Sequence, residues 1–473
     1  MNGILTFASI VVCALIVATV PTMVAPYVVE YGVVTVFDAS KAVLLCIALS
    51  ALFGWFAYRQ STGSFLLKLF ISALLVRMIL GTIIFVSNGQ NFFGGDALTY
   101  DFFGNAQLDG WFGDKYAQSV ADIYVQSWSA SGWGMVYMVA GVYGIIGRNL
   151  LAVQFVNGVL GAATAVVVYL CAHHVYNNLR VARIAGIAAA FYPSLVLWSS
   201  QGLKDGPIVF FLALSMLATL RLGQKLSAKY IVVLLASLLA VLSLRFYVFY
   251  MICFAVGGAF VIGTQKLSTT SFFRQLTAIA ALGLALTYLG VTRSASVQFE
   301  RFANLEAVQR SRDDAARSAE SGFGREVDVS TTSGALTAIP LGLIYLLFAP
   351  FPWQLVSLRQ SLTLPEMIIW WASFPMLMLG LWFSFRYRLR MISPILIFTL
   401  MLSLAYSVFQ GNVGTAYRQR AQLLVFYFIF VAVGYVLVLE KREERKRAIQ
   451  AERQSLVTSG VASALGRSRE QHQ

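Results

Sequence analysis

The chain has 473 residues, of which 58% are hydrophobic and only 12% charged, and its mean hydropathy is +0.73. A soluble core of ordinary proportions cannot bury apolar runs near twenty residues long, so this composition excludes a soluble globular protein. The formal net charge of +14 is distributed between the apolar runs rather than along one polar face, so it reports membrane topology and implies no nucleic-acid partner.

Apolar runs fall near residues 3–27, 41–58, 65–87, 149–172, 182–201, 206–222, 229–244, 246–264, 275–292, 335–350, 366–384, 391–409 and 421–439. In lipid every backbone amide must be paired within its own segment, so the runs predict an all-α polytopic integral membrane protein of about twelve or thirteen spans. The first run, Ile4 to Tyr27, lacks a basic leader and a small-residue cleavage site and reads as a retained span. The four cysteines all lie in apolar runs and imply no disulfide framework. His173 and His174 end a span without further ligands at metal-binding spacing, so no metal site is predicted.

Three connections, YRQ (58–60), NNLRVAR (177–183) and FRYRLR (385–390), are basic, and the tail opens KREERKRAIQAER. Positive charge marks the cytoplasmic side. With the N-terminus inside, residues 88–148 become the first large external loop, and GNVGTAYRQR (411–420) is external too. The division is then a transmembrane domain over 1–439 and a basic cytoplasmic tail over 440–473. A second polar loop, 293–334, has no settled side: either a middle run is re-entrant or surface-lying, or Ile231 to Ile262 is wrongly divided. No repeat of a transporter kind is visible.

The acids are gathered in the first loop. NFFGGDALTYDFFGNAQLDGWFGDKYAQSVAD (91–122) carries five aspartates beside one cation, Lys115. Two glycines before Asp96 permit a sharp turn that holds a carboxylate at the membrane surface, where it can take a proton from a hydroxyl. Asp101 is the reserve candidate, and Tyr100 offers a hydroxyl to a sugar or acceptor. The interleaved aromatics suit headgroups and sugar rings. In WSSQGLKDGP (198–207), Lys204 is a point charge for a phosphate beside the free amides of a helix start, and Asp205 is a sugar or acceptor contact. Arg418 and Arg420 sit at the outer mouth of the last span, against the usual charge bias; their planar forks match a phosphorylated lipid. Arg245, enclosed in LSLRFYVF, joins the phosphate-binding set. The mixed-charge stretch 293–332 predicts a surface helix over the site.

GGDxxxYD in the first loop, followed by GWGMVYMVAGVYGIIGRNLLAVQFVNGVLGAATAVVVYL and ARIAGIAAAFYPSLVLWSSQGLKD, resembles the lipid-dependent glycosyltransferases of the GT-C fold. The likeness is closest to bacterial relatives of protein O-mannosyltransferases and aminoarabinose transferases, and it is best from about Gly94 to Leu222. The resemblance implies a GT-C-like helical bundle with its site in external loops, on the periplasmic or external side of a bacterial inner membrane. It implies inverting transfer of a sugar from a polyprenyl-phosphate donor, with Asp96 as general base and Lys204, Arg418 and Arg420 holding the phosphate. Many relatives carry an adjacent Asp-Glu pair where this chain has Asp96 and Ala97, which favours a glycan or lipid-linked acceptor, in envelope or exopolysaccharide assembly, over a protein. No cofactor is specified, and no residue set calls for a divalent metal. Two alternatives compete: a polymerase or ligase of undecaprenyl-diphosphate-linked glycans, and a lipid-linked sugar flippase or transporter.

Overall fold

The computed structural model describes residues 27–29, 32–93, 95–127, 132–262, 269–291, 304–317, 322–324, 327–355 and 357–470. The expected first span lies almost wholly outside them. The described chain opens on a short antiparallel ribbon, β1 (Tyr27–Val29) paired with β2 (Gly32–Val34), and is otherwise helical. In chain order the helices are α1 (Val36–Tyr58), α2 (Gly63–Val86), α3 (Asp96–Trp111), α4 (Lys115–Ser127), α5 (Trp133–Ile146), α6 (Leu150–Tyr176), α7 (Leu179–Phe191) and α8 (Pro193–Ser199). They continue with α9 (Asp205–Gln224), α10 (Ala228–Leu244), α11 (Phe246–Ile262), α12 (Thr269–Tyr288), α13 (Leu305–Arg317), α14 (Thr332–Phe348), α15 (Leu358–Ser361), α16 (Leu364–Phe409) and α17 (Val413–Glu470).

The helix starts follow their capping residues. Thr35 and Asp38 exchange hydrogen bonds in a capping box ahead of α1. Asn149 caps α6 through Ala152 N, and Asn178 caps α7 through the amides of Arg180 and Val181. α6 is the centre of the bundle: nearly all its side chains are buried, and α1, α2, α7 and α9 pack around it.

Among the described residues, six helices are long and apolar enough to cross a bilayer, or seven if the bent pair α7 and α8 is one span. The other apolar runs among the described residues, 229–244, 246–264, 275–292 and 335–350, fall on apolar helices of 10–17 residues. A helix of 17 residues extends about 26 Å, short of the roughly 30 Å hydrocarbon core. Ile231 to Ile262 does divide into two, α10 and α11, at Arg245, whose backbone is extended.

The helical segment α16 folds back on itself. A Cβ on Gly380 would meet the Phe430 carbonyl, while Ser403 Oγ and Tyr427 OH are hydrogen-bonded at 2.8 Å. Positions 380 and 403 would be about 34 Å apart on a straight helix, yet both reach the same turn of α17. The reversal lies around the exposed FRYRLR stretch, so the runs 366–384 and 391–409 are two passes.

The basic connections collect at one end of the bundle. Thr62 bonds Tyr169 OH, Tyr176 OH bonds Ser384 Oγ beside the α16 reversal, and Arg180 pairs with Glu443. The tail is no separate element, since α17 runs unbroken through it. At the opposite end lie Asn149, the start of α9 and the first turns of α3 and α17. The first large loop is therefore mostly helix (α3, α4 and α5), and the second polar loop contains α13.

Candidate active site

Gly95 has φ +73°, a left-handed conformation that favours glycine, and it places Asp96 as the first residue of α3; Gly94 lies outside the described residues. From there Asp96 reaches Arg418 on α17, with Nη1 donating to Oδ2 at 2.6 Å. The same guanidinium donates through Nε to Asp205 Oδ2 at 2.6 Å, and its Nη2 lies equally close. Arg245, at the α10–α11 break, approaches the other Asp205 oxygen at 3.6 Å. Arg418 thus bridges two carboxylates of different setting: the Asp96 side chain is 46% exposed and that of Asp205 only 1%.

Lys204 completes the cluster from the α8–α9 turn. Its Nζ, the Tyr124 hydroxyl and the Tyr100 hydroxyl lie 3.3, 3.6 and 3.9 Å from where a Cβ on Gly132 would stand. Gly132 has φ +99° and leaves the room those three groups share. Burial, with Arg245 and Arg418 nearby, pushes the Lys204 ammonium down to about 7 against the pull of Asp205 and Asp96. Burial, then Tyr124 and the Asp96 charge, holds the Tyr100 hydroxyl protonated far above the usual tyrosine range. Three cations face two carboxylates, so the cluster carries one spare positive charge whenever Lys204 is protonated.

The turn that carries Lys204 and Asp205 is fixed from within the bundle. Asn157 on α6 donates to the carbonyls of Gln201 and Leu203 at 2.6 and 2.7 Å. Trp198, at the end of α8, lies under Arg418, with the guanidinium carbon 5.7 Å from a ring centroid. A cavity of about 830 Å³ opens beside these residues, with Phe92, Phe93, Trp198, Glu366, Tyr417 and Arg418 among its walls.

Of the residues singled out in the sequence, the structure gathers Asp96, Tyr100, Lys204, Asp205, Arg245 and Arg418. It does not bring Asp101 or Arg420 to the group. Asp101 is buried and accepts hydrogen bonds from the Tyr143 hydroxyl and from Arg148 Nη2, the latter at 2.5 Å. On a helix at about 100° per residue, a step of five turns it some 140° from Asp96, whereas Tyr100 at a step of four stays on the same face. Arg420, two residues past Arg418, points the opposite way: it donates to the Leu346 carbonyl at 2.7 Å and to the Ala349 carbonyl, closing the end of α14.

Two buried charges went unread in the sequence. Arg77 on α2 donates through Nε to Ser199 Oγ at 2.8 Å and through Nη1 to the carbonyls of Ala73 and Ala190 at 2.9 and 2.7 Å. It therefore braces the 53° break between α7 and α8 that positions Trp198. A lone arginine inside an apolar run was the signal. Glu366, on the cavity wall, was hidden at the edge of the run 366–384.

Residues 133–290, which include the Lys204–Asp205 turn and Arg245, match the family model of dolichyl-phosphate-mannose-protein mannosyltransferase. A search of curated protein sequences returned no match. Among solved structures the chain is similar to the archaeal oligosaccharyltransferase AglB from Archaeoglobus fulgidus in complex with an inhibitory peptide and a dolichol-phosphate. There the identity is 13% and the TM-score 0.39, over 68% of this chain and 44% of that one. A second structure, the Archaeoglobus fulgidus oligosaccharyltransferase complex with Zn and sulfate, gives 16% identity and a TM-score of 0.36 over 67% and 41%. The chain thus spans less than half the length of either. The family match at residues 133–290 and the helical architecture with its long apolar helices agree with the resemblance read from the sequence.

Proposed function

We propose that the protein is a membrane glycosyltransferase that moves a sugar from a polyprenyl-phosphate donor to a glycan or lipid-linked acceptor. The observation that carries this reading is the Asp96–Arg418–Asp205 bridge, set with Lys204 and Arg245, whose Arg418 stands on the wall of a cavity lined in part by aromatic rings. The end of the bundle opposite the basic connections is the external or periplasmic side, and the tail beyond residue 439 is cytoplasmic.

The donor phosphate takes Arg418 and Lys204 as partners. Because Arg418 is already held by Asp96, an arriving phosphate competes for the guanidinium and releases the more exposed carboxylate. Asp205, buried between Arg418 and Arg245, keeps the arginines in place during the exchange. The acceptor oxygen then attacks the anomeric carbon and its proton passes to Asp96. The carbon–oxygen bond to phosphate breaks with its electrons on the phosphate oxygen, where the cations stabilise the charge. A single displacement inverts the anomeric centre.

Replacing Asp96 by Asn removes the proton acceptor and keeps the shape. Sugar transfer from a polyprenyl-phosphate-linked donor should fall by about 10²- to 10⁴-fold while the protein purifies as a folded species. Undiminished turnover in that variant rejects the assignment. Lipid movement across vesicles without any glycan product would favour a transporter instead.

A further inference from the structure

The cavity beside Arg418 has a second arginine on its wall. Arg359, in the short helix α15 between α14 and α16, is exposed and lines the cavity together with Ser357, Gln360 and Thr363. Its guanidinium carbon lies 5.2 Å from the centroid of the Phe92 ring. Such a contact orients the guanidinium without occupying a hydrogen-bond acceptor, so its N–H donors stay available. The protein supplies them no acceptor: Arg359 makes no hydrogen bond or ion pair among the described residues. Glu366, the one carboxylate among the described residues of the wall, is engaged by the Tyr417 hydroxyl at 2.7 Å.

Arg418, on the same wall, is in the opposite state. It is paired with Asp96 and Asp205, in a cluster whose single spare positive charge appears when Lys204 is protonated. A polyprenyl-phosphate sugar is a phosphodiester monoanion, so the donor assigned to that cluster uses the spare charge and leaves Arg359 unmatched. The two arginines address neighbouring points of the chain: Arg418 holds Asp96, and Arg359 covers Phe92 four residues earlier. That separation is at most about 14 Å on a fully extended chain. Here the chain is coiled, with Phe93 N donating to the Gly89 carbonyl and Gly95 N to the Gln90 carbonyl, so the true separation is shorter. Arg359 also stands at the end of the bundle read as external, where charge bias disfavours cations, and a cation kept there without a carboxylate calls for an anion from outside the chain.

We propose that Arg359 binds a phosphate of the acceptor, so that the acceptor is a phosphorylated lipid or a glycan carried on a lipid phosphate or diphosphate, and not a neutral glycan. The proposal rests on the reading of the cavity as the place where a polyprenyl-phosphate sugar is used, with the donor at the Arg418 cluster. It adds a second anion position to that site.

The test uses the full chain with three variants: Arg359→Gln, Arg359→Lys and Arg418→Ala. Equilibrium binding of radiolabelled farnesyl phosphate to the protein in maltoside detergent counts phosphate positions without any transfer reaction. Wild type and Arg359→Lys should bind two equivalents, and Arg359→Gln and Arg418→Ala one each. In nanodiscs, transfer to a panel of polyprenyl-diphosphate-linked hexoses is compared with transfer to the matching alkyl hexosides. Arg359→Gln should raise the KM of the diphosphate-linked acceptor by about tenfold, as expected for the loss of a charge-assisted hydrogen bond. It should leave the donor KM and the alkyl hexoside KM unchanged, and Arg359→Lys should recover part of the loss. Two equivalents bound by Arg359→Gln, or an equal rise in KM for both kinds of acceptor, overturns the proposal. A raised donor KM would give the anion to the donor, and an effect that follows the anionic phospholipid content of the nanodisc with either acceptor would make Arg359 a headgroup contact; each overturns it too. Two equivalents bound by Arg418→Ala would contradict the reading of the cation cluster instead, independently of the Arg359 result.

Discussion

Arg418 is the residue on which the site turns, because its one guanidinium serves a half-exposed acid and a buried one together. Its neighbour Lys204 gives the site a pH dependence. With its pKa pushed down to about 7, Lys204 is charged below that pH and neutral above it, so kcat/KM for the donor should fall as pH rises through about 7. Lys204→Met, which has nothing to titrate, should show a low kcat/KM without that step. An identical step in both proteins would remove Lys204 from the phosphate site. The effect on stability has the opposite sense: burying the ammonium penalises the fold fully below about 7, and the penalty fades as pH rises towards the ordinary 10.5. Much of this set was legible in the sequence, since Asp96, Lys204, Asp205 and Arg418 stand out as charges where the apolar pattern and the charge bias do not call for them. Asp101 and Arg420 looked equivalent to their neighbours because a linear reading does not carry helical phase.

Single helices decide how those residues are aimed. The break between α7 and α8 follows from Pro193, and the Ala190 carbonyl beside it accepts a hydrogen bond from Arg77, on a helix more than a hundred residues earlier in sequence. Arg77→Leu leaves that carbonyl and the Ser199 hydroxyl without their donor and should cost about 2 kcal/mol. The measurement is a drop in the thermal unfolding midpoint together with a lower kcat, because Trp198 is carried on the braced segment. An unchanged midpoint would mean that the break stands without its brace. The apolar pattern located α6, α9 and the Arg245 division of α10 from α11, since each begins or ends at a capping or charged residue. It did not distinguish full spans from 17-residue helices, because hydrophobicity records burial in lipid or protein alike.

For the whole molecule, the basic connections at one end and the acid-and-arginine cluster at the other form one dipolar arrangement. We read it as positive charge retained in the cytoplasm and chemistry outside. Cysteines placed at Phe112 and at Tyr387, both exposed, should react with a membrane-impermeant thiol reagent on opposite sides: Phe112→Cys in intact cells, Tyr387→Cys only after permeabilisation. Reaction of both in intact cells would dismiss that topology. Charge bias made this arrangement readable in the sequence, whereas the reversal within α16 was visible only as two apolar runs with a basic hinge. The close contact of α17 with the first half of α16 depends on glycines at 380 and 434, whose importance lies in partners dozens of residues away.

The most direct test is a cryo-EM structure of the full chain bound to a non-hydrolysable polyprenyl-phosphate sugar analogue. The account predicts the phosphate within hydrogen-bond distance of Arg418 and Lys204, with Asp96 released from its ion pair and turned towards the anomeric carbon. A phosphate bound elsewhere, with the Asp96–Arg418 bridge intact, would contradict it.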